Sequence, residues 1–486
     1  MFDLEEVLLG VQNPEHRRTP VIPEALQAVA FSEAVIDSRL ATPGALFVAL
    51  EGERVDGHSF LADAAKRGAR AALVSREKVA DFTLEQPYVL LDPAAGMPAP
   101  EGVGPKTLLL ITVDDPLGSL HRLASFHRER FAPKVVGITG SVGKTSTKEA
   151  TAAVLSRRYR TLKNPRSYNS ESTLPIVLLQ LNGNHEVAVL EMGMYRPGDI
   201  ALLARLARPD VGIVTNVGPS HLERAGSVEA IAAAKAELVE ALPPEGYAIL
   251  NYDDPLVRAM AARTRARPFF YGLDPAADLW ADNIESRGLE GISFQAHHAG
   301  DDVVLNLPLI GRHSVHTALA SAAAGLLLGL GWDAIVDGLH DEQAQLRLLA
   351  VPGINESMLI DDTYNASPTS SFAALNLLSE LDGRHIAIMG DMLELGSMEE
   401  EAHRMVGARA AQVVDLLVTV GTRARWIAEE AVQAGLASNQ VLHAASNAEA
   451  AAIIKPLIQP GDNILIKGSR GMAMESIVGA LQRPPD

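Results

Sequence analysis

Val135-Val-Gly-Ile-Thr-Gly-Ser-Val-Gly-Lys-Thr-Ser146 decides the reading of this chain. The short β-branched run Val135–Thr139 ends in a glycine-rich turn, and a helical pattern follows from Thr145 to about Arg158. A strand, a glycine turn and a helix in that order is the context a phosphate-binding loop requires. Glycines let backbone amides turn toward phosphate oxygens, and the helix N-terminus adds partial positive charge. Lys144 can reach the β- and γ-phosphates, and the Thr145 hydroxyl can bind Mg²⁺. Thr139, Gly140, Ser141, Val142, Gly143, Lys144, Thr145 and Ser146 are therefore the candidate ATP-binding residues. The usual first glycine of such a loop would fall at Ile138, so the motif has the shorter Thr-Gly-x-x-Gly-Lys-Thr form.

Beyond this loop the pattern repeats. Val187–Leu190 ends at Glu191, Val211–Thr215 at Asn216 and Ala248–Leu250 at Asn251. Apolar runs of this length alternating with helical stretches predict a parallel α/β sheet. Ligands of open α/β sheets bind beyond the carboxyl ends of the strands. The polar residue closing each run is thus a candidate for chemistry. A further series starts near Gly338. Met358–Ile360 runs into Asp361-Asp362, Ile386–Met389 into Gly390-Asp391, Leu416–Val420 into Gly421 and Ile464–Ile466 into Lys467-Gly468. This predicts a second α/β domain of Rossmann-like character. Before the loop, residues 1–130 hold short apolar segments, Ala45–Leu50 and Ala71–Val74 among them, and no catalytic cluster. Asp92–Lys106, rich in Pro, Gly and Ala, reads as a surface loop. The expected fold class is α/β in three domains: an N-terminal α/β substrate-binding domain at 1–130, a central P-loop parallel-sheet ATPase-like domain at 131–337 and a C-terminal Rossmann-like domain at 338–486.

Bulk properties agree. At roughly 150 residues per domain, 486 residues suggest about three domains. The 47% hydrophobic and 21% charged content is that of a globular protein. A net charge of −18 argues against non-specific nucleic-acid binding, although a local cationic pocket can still take an anionic substrate. The absence of cysteine excludes disulfides and thiolate metal sites. MFDLEEVLLG lacks the basic start and long apolar core of a signal peptide. Ala318–Leu330 is too short to span a bilayer. A cytoplasmic monomer with no membrane insertion is expected.

Three residues could complete an active site around the loop. Glu191 follows a buried-type strand, and a carboxylate beside a P-loop can hold Mg²⁺; the lesser alternative is a solvated loop acid. His221 lies in Thr215-Asn-Val-Gly-Pro-Ser-His-Leu-Glu223, after a strand end and a Gly-Pro turn. Lys235 shares one helical face with the apolar residues Ile231, Leu238 and Leu242. A lysine there either snorkels to solvent or does chemistry as a carbamate, which turns a cation into a metal-binding anion.

Taken together, these residues resemble the Mur ligase family, and the short loop form is shared with its folylpolyglutamate synthetase relatives. The resemblance covers nearly the whole chain. Asp37-Ser38-Arg39, then Pro43-Gly-Ala-Leu-Phe-Val-Ala-Leu50 and Asp56-Gly57-His58, are similar to the uridine-nucleotide-binding domain of the family. The loop, Glu191, His221 and Lys235 fall where the family places ATP, two Mg²⁺ ions and a carbamylated lysine. Arg347 and Asp361 match residues that touch nucleotide. Asp361-Asp-Thr-Tyr-Asn-Ala-Ser-Pro368, Gly390-Asp-Met-Leu-Glu-Leu-Gly396 and Lys467-Gly-Ser-Arg470 resemble the branch that adds a dipeptide, and the Asp-Asn-Pro-Arg motif of the tripeptide-adding branch is absent.

The resemblance therefore implies an ATP-dependent ligase joining D-Ala-D-Ala to UDP-N-acetylmuramoyl-tripeptide through an acyl phosphate. It implies catalytic roles for Lys144, Lys235 and His221, and substrate contacts from Ser38, Arg39, Asn169, Asn365, Lys467 and Arg470. Departures occur at Ser170 and Thr173 in the Asn169–Pro175 motif. Ser314 and Thr317 also depart, where asparagines are common in the family and adenine is read. The alternatives are another ligase of the superfamily or a non-catalytic nucleotide-binding partner.

Overall fold

The strand ends singled out above carry the architecture. The structure, a computed structural model, describes residues 2–52, 55–81, 83–93, 103–104, 106–219, 222–341 and 349–483. His221, Arg347 and most of the proposed surface loop at 92–106 lie outside the described residues. Two compact units are present: one of Met1–Val135, Arg160–Met192 and Ala201–Pro209, the other of Val136–Tyr159, Gly193–Ile200 and Asp210–Asp486.

The first unit contains a fully parallel sheet in the order Ala34–Val35, Leu46–Val48, Ala71–Ser75, Leu108–Val113, Tyr88–Leu91. Its central strands are buried along their whole length, as expected where helices or loops cover both faces. The helix Leu4–Gly10 packs on the helix Pro116–Glu129. Polar groups pin them together: the buried Glu6 carboxylate meets His127 Nδ1 and the Arg130 guanidinium. His127 Nε2 lies 2.8 Å from the Leu181 carbonyl. Both ring nitrogens thus face acceptors. This unit also holds the parallel pair Thr161–Lys163 and Val187–Glu191.

In the second unit, residues 136–139, Val211–Val214, Tyr247–Asn251, Arg267–Gly272 and Leu279–Ser286 run parallel in that order. The sheet then turns into an antiparallel meander through Ile292–His298 and Asp301–Leu307. A purely parallel sheet was expected; the meander differs because these strands alternate exposed and buried residues and need cover on one face only. The helix Lys144–Leu155 packs against Ser314–Leu327 and Trp332–Leu339.

The C-terminal sheet has the order Leu349–Pro352, Met358–Asp362, Asn463–Lys467, His385–Gly390, Leu416–Val420, Val441–Ala444. Only its first strand is antiparallel. Apolar clusters line both faces, one built on Leu375, Leu378, Val406 and Leu417, the other on Ile386, Val418, Ile464 and Ile477. No helix among the described residues is long and apolar enough to cross a membrane.

Candidate active site

The phosphate loop is held from beneath by the neighbouring strand end. Ser141 N–H donates to the Asn216 carbonyl at 2.9 Å. Val142 N–H donates to Asn216 Oδ1, and Asn216 Nδ2 returns a bond to the Val142 carbonyl, each at 2.9 Å. The Ser141 hydroxyl is clamped by Gly218, accepting from its N–H at 2.8 Å and donating to its carbonyl at 3.0 Å. Gly140 has φ +151°, and a Cβ there would stand 1.8 Å from Thr215 Oγ1. Only glycine lets the two strand ends approach so closely. Asn251 Nδ2 donates to the Thr215 carbonyl and Asp254 accepts from Val217 N–H. The polar residues that close successive strands therefore brace one loop.

Lys144 opens the loop's helix, and its ammonium donates to the carbonyls of Gly140 and Ser141 at 2.8 and 3.1 Å. The Thr139 hydroxyl at the loop's base is buried without a hydrogen-bond partner among the described residues. Buried polar groups are normally satisfied, so an orphan here fits a site built for a polar ligand.

Lys235 lies in the helix Val228–Glu240 on the face of Ile231, Leu238 and Leu242. It does not snorkel: only 1% of it is exposed. Among the described residues no hydrogen bond or ion pair reaches its amine. Burial, reinforced by the nearby Lys144 cation, pushes the Lys235 ammonium well below the usual lysine range.

Glu191 is also buried, at 1% exposure, so the solvated-acid reading fails. Asn169 Nδ2 donates to its carboxylate at 2.6 Å. Asn164 locks the main chain: its Oδ1 accepts from Glu191 N–H, and its Nδ2 donates to the carbonyls of Glu191 and Tyr168. Asn164 was not among the sequence candidates. It directly follows the strand Thr161–Lys163, so the strand-end rule that selected Glu191 would also have found it.

Within the N-terminal domain, Ser38 is buried and donates to Asp63 at 2.8 Å, while Arg39 is paired with Asp37. Asp56 accepts from His58 Nδ1 at 2.6 Å, and Ser75 N–H donates to His58 Nε2 at 2.9 Å. His58 therefore carries its proton on Nδ1 and serves as a brace.

Three loops meet at the carboxyl ends of the C-terminal strands. Lys467, 1% exposed, donates to Asp362 Oδ2 at 2.6 Å and to the Asn365 carbonyl at 2.9 Å. Ser469 ties in the third loop: its hydroxyl accepts from Leu393 N–H at 2.8 Å, and its own N–H donates to the Asp391 carbonyl. Asp361 accepts from the Thr363 main chain and hydroxyl. Open α/β sheets take ligands in the crevice between such strands. Met474 packs against two of these strand ends: a Cβ on Gly390 or Gly468 would stand 2.9 or 2.7 Å from its buried side chain.

Three family models match in succession: the Mur ligase family catalytic domain at residues 32–126, the Mur ligase middle domain at 138–325 and the Mur ligase glutamate ligase domain at 347–470. A Bacillus subtilis relative, UDP-N-acetylmuramoyl-tripeptide–D-alanyl-D-alanine ligase, is 35% identical, with 99% of this chain and 98% of its own length covered. The chain belongs to the Mur ligase family. Its architecture is the three-domain α/β Mur ligase fold. The Escherichia coli protein of the same name as the Bacillus relative is 36% identical, covering 93% of this chain and 94% of its own. The crystal structure of MurF from Acinetobacter baumannii superposes with a TM-score of 0.81 at 28% identity, covering 98% of both chains. MurF ligase from Thermotoga maritima in complex with ADP gives 0.74 at 27% identity, covering 92% of this chain and 96% of that one. In this Mur ligase chain the middle-domain match takes in the phosphate loop, Glu191 and Lys235, and the C-terminal match takes in Asp361, Asn365, Lys467 and Arg470.

Proposed function

We propose that this chain is an ATP-dependent, ADP-forming ligase that joins D-alanyl-D-alanine to UDP-N-acetylmuramoyl-tripeptide in peptidoglycan precursor synthesis. The observation that carries this reading is full-length similarity to relatives bearing that one activity in their names. The braced phosphate loop and the buried Lys235, unpartnered among the described residues, favour a working enzyme over a non-catalytic nucleotide-binding partner. Residues 1–130 would hold the uridine end, with Ser38 and Arg39 as contacts, 131–337 the ATP and 338–486 the dipeptide. We place this ligase in the cytoplasm as a monomer.

The chemistry balances as two displacements. A carboxylate oxygen of the tripeptide attacks the γ-phosphorus of ATP, forming an acyl phosphate and releasing ADP. The dipeptide amine then attacks the acyl carbon, loses one proton and expels phosphate. Ser141 and Val142 spend their amides on Asn216, so the phosphates fall to the helix start at Gly143–Ser146. Lys144 would exchange its two carbonyl partners for phosphate oxygens and stabilise their developing charge. Arg347 and Asp361 are proposed nucleotide contacts.

Thr145, Glu191, His221 and carbamylated Lys235 are proposed to hold two Mg²⁺ ions, on the match of their motifs. The ions supply charge neutralisation at the transferring phosphoryl group. The donor chemistry fits: Glu191 is a buried carboxylate steadied by Asn169. A neutral amine is what reacts with CO₂, and the Lys235 environment favours the neutral amine. Asn169, which donates to Glu191, and Asn365 are proposed substrate contacts.

A phosphate-release panel tests the reading. UDP-muramoyl-tripeptide with D-Ala-D-Ala should release phosphate and give the pentapeptide product. Efficient use of the dipeptide acceptor with diaminopimelate or lysine instead would move the chain to another branch of the family.

A further inference from the structure

Two cations, Lys467 and Arg470, stand three residues apart in a loop that could meet the free carboxylate of a dipeptide. Their surroundings divide them. Lys467 is sequestered, its ammonium spent on the Asp362 carboxylate and the Asn365 carbonyl. A substrate carboxylate could recruit it only by breaking a buried ion pair and freeing the loop that the pair anchors. Arg470 differs at every point. Its side chain is 66% exposed, and its ion pair is with the half-exposed Glu475 at 3.6 Å. Such a pair contributes little and exchanges readily.

Arg470 is nonetheless placed. Its N–H donates to Asn365 Oδ1 at 3.4 Å, and its guanidinium lies 5.6 Å from the centre of the Tyr364 ring. The residues after Asn365 lead to the phosphate loop in the same compact unit. Ser367 caps the helix Pro368–Leu378. Thr369 Oγ1 in its first turn lies 3.4 Å from where a Gly218 Cβ would stand, and Gly218 clamps Ser141. An extended dipeptide spans about 7 Å, so a fixed carboxylate fixes the reach of its amine toward the phosphates.

We propose that Arg470 binds the carboxylate of the incoming dipeptide, and that Lys467 is a positioning residue which never touches it. The proposal rests on the ligase reading above. Arg470 offers the planar, two-pronged donor that matches a carboxylate, and Lys467 holds Asp362 and Asn365 so that Tyr364 and Arg470 stand correctly.

The experiment compares D-Ala-D-Ala with D-alanyl-D-alaninamide, which keeps the amine and lacks the charge. Phosphate release is measured on the full chain with ATP and UDP-muramoyl-tripeptide. For the unaltered protein the amide should be roughly 10- to 100-fold poorer in kcat/KM, the loss expected for a charged hydrogen bond. Arg470→Ala should raise the KM for D-Ala-D-Ala by a similar factor, leave the KM for ATP in place and bring the acid-to-amide ratio close to one. Arg470→Lys should recover part of the ratio. Lys467→Met should lower kcat yet keep the ratio; if it does not fold, Asp362→Asn, which removes the same ion pair, takes its place with the same expectation. A ratio that survives in Arg470→Ala, or collapses in the Lys467 or Asp362 variant, overturns the proposal. A full chain that releases no phosphate with either dipeptide overturns the ligase reading and the proposal with it, whereas turnover with an unaltered ratio in Arg470→Ala overturns the proposal alone.

Discussion

Lys235 in the central domain and Lys467 in the C-terminal domain are equally buried, each 1% exposed. Lys467 sits 2.6 Å from the Asp362 carboxylate; Lys235 meets no partner among the described residues and lies near a second cation. Burying a charge is costly unless it is paired. A paired buried lysine is a structural strut, and an unpaired one marks a group held for chemistry. Lys148, fully buried in the helix of the phosphate loop and 2.9 Å from Glu149, belongs with Lys467 on this criterion.

The largest effects should fall on the chemical side. Lys144→Ala removes the cation aimed at the transferring phosphoryl group and should lower turnover by roughly 10²-fold or more. Its melting temperature should stay close to the parent's, because the Lys144 ammonium bonds the carbonyls of Gly140 and Ser141 within its own loop. Lys235→Ala should lose activity on the same scale and recover some of it when a small carboxylate is added in solution. Calorimetry and phosphate release on both variants check this. A Lys235→Ala protein that is fully active, or unfolded, would erase the distinction from Lys467.

The intermediate effect is on stability. Lys467→Met strands the Asp362 carboxylate and should cost about 3 kcal/mol in denaturant unfolding, the low end for a broken buried pair because Asp362 keeps some solvent contact. Pairing it with Asp362→Leu should return much of that loss, since an apolar replacement of both partners is often neutral.

The smallest effect belongs to the Glu6–His127–Arg130 cluster. Burial alone would raise the Glu6 pKa, but the hydrogen bond and charge of His127, with Arg130, outweigh it, and the carboxyl ends below its usual 4.5. A carboxylate lowered on folding contributes stability above its unfolded pKa and loses it as pH falls through the folded value. The protein should therefore lose stability below about pH 4.5 partly through Glu6. Glu6→Gln should cost about 1 kcal/mol at neutral pH and flatten the acid limb of the melting curve. An unchanged acid limb would show that the cluster is not coupled to folding.

The phosphate loop, the parallel strands and the polar residue ending each one were legible because periodicity and glycine placement are local. So was the anomaly of Lys235, although the helical pattern alone could not separate snorkelling from burial. The meander at Leu279–Leu307 went unread although its strands alternate apolar and polar residues, because the buried runs before it set the expectation of a parallel sheet and strand pairing is not local. The Lys467–Asp362 pair was hidden for a different reason: its partners lie 105 residues apart, and sequence spacing says nothing about which cation a carboxylate consumes. The packing of Met474 against Gly390 and Gly468 was hidden for the same reason, since Gly390 is 84 residues away in the chain.

Carbon-13 NMR of the protein equilibrated with labelled bicarbonate tests the contrast between the two lysines most directly. A protein-bound carbamate carbonyl resonance should appear in the parent protein, persist in Lys467→Met and vanish in Lys235→Ala. No such resonance in the parent, or one that survives in Lys235→Ala, would contradict the claim that the unpaired buried lysine is the reactive one.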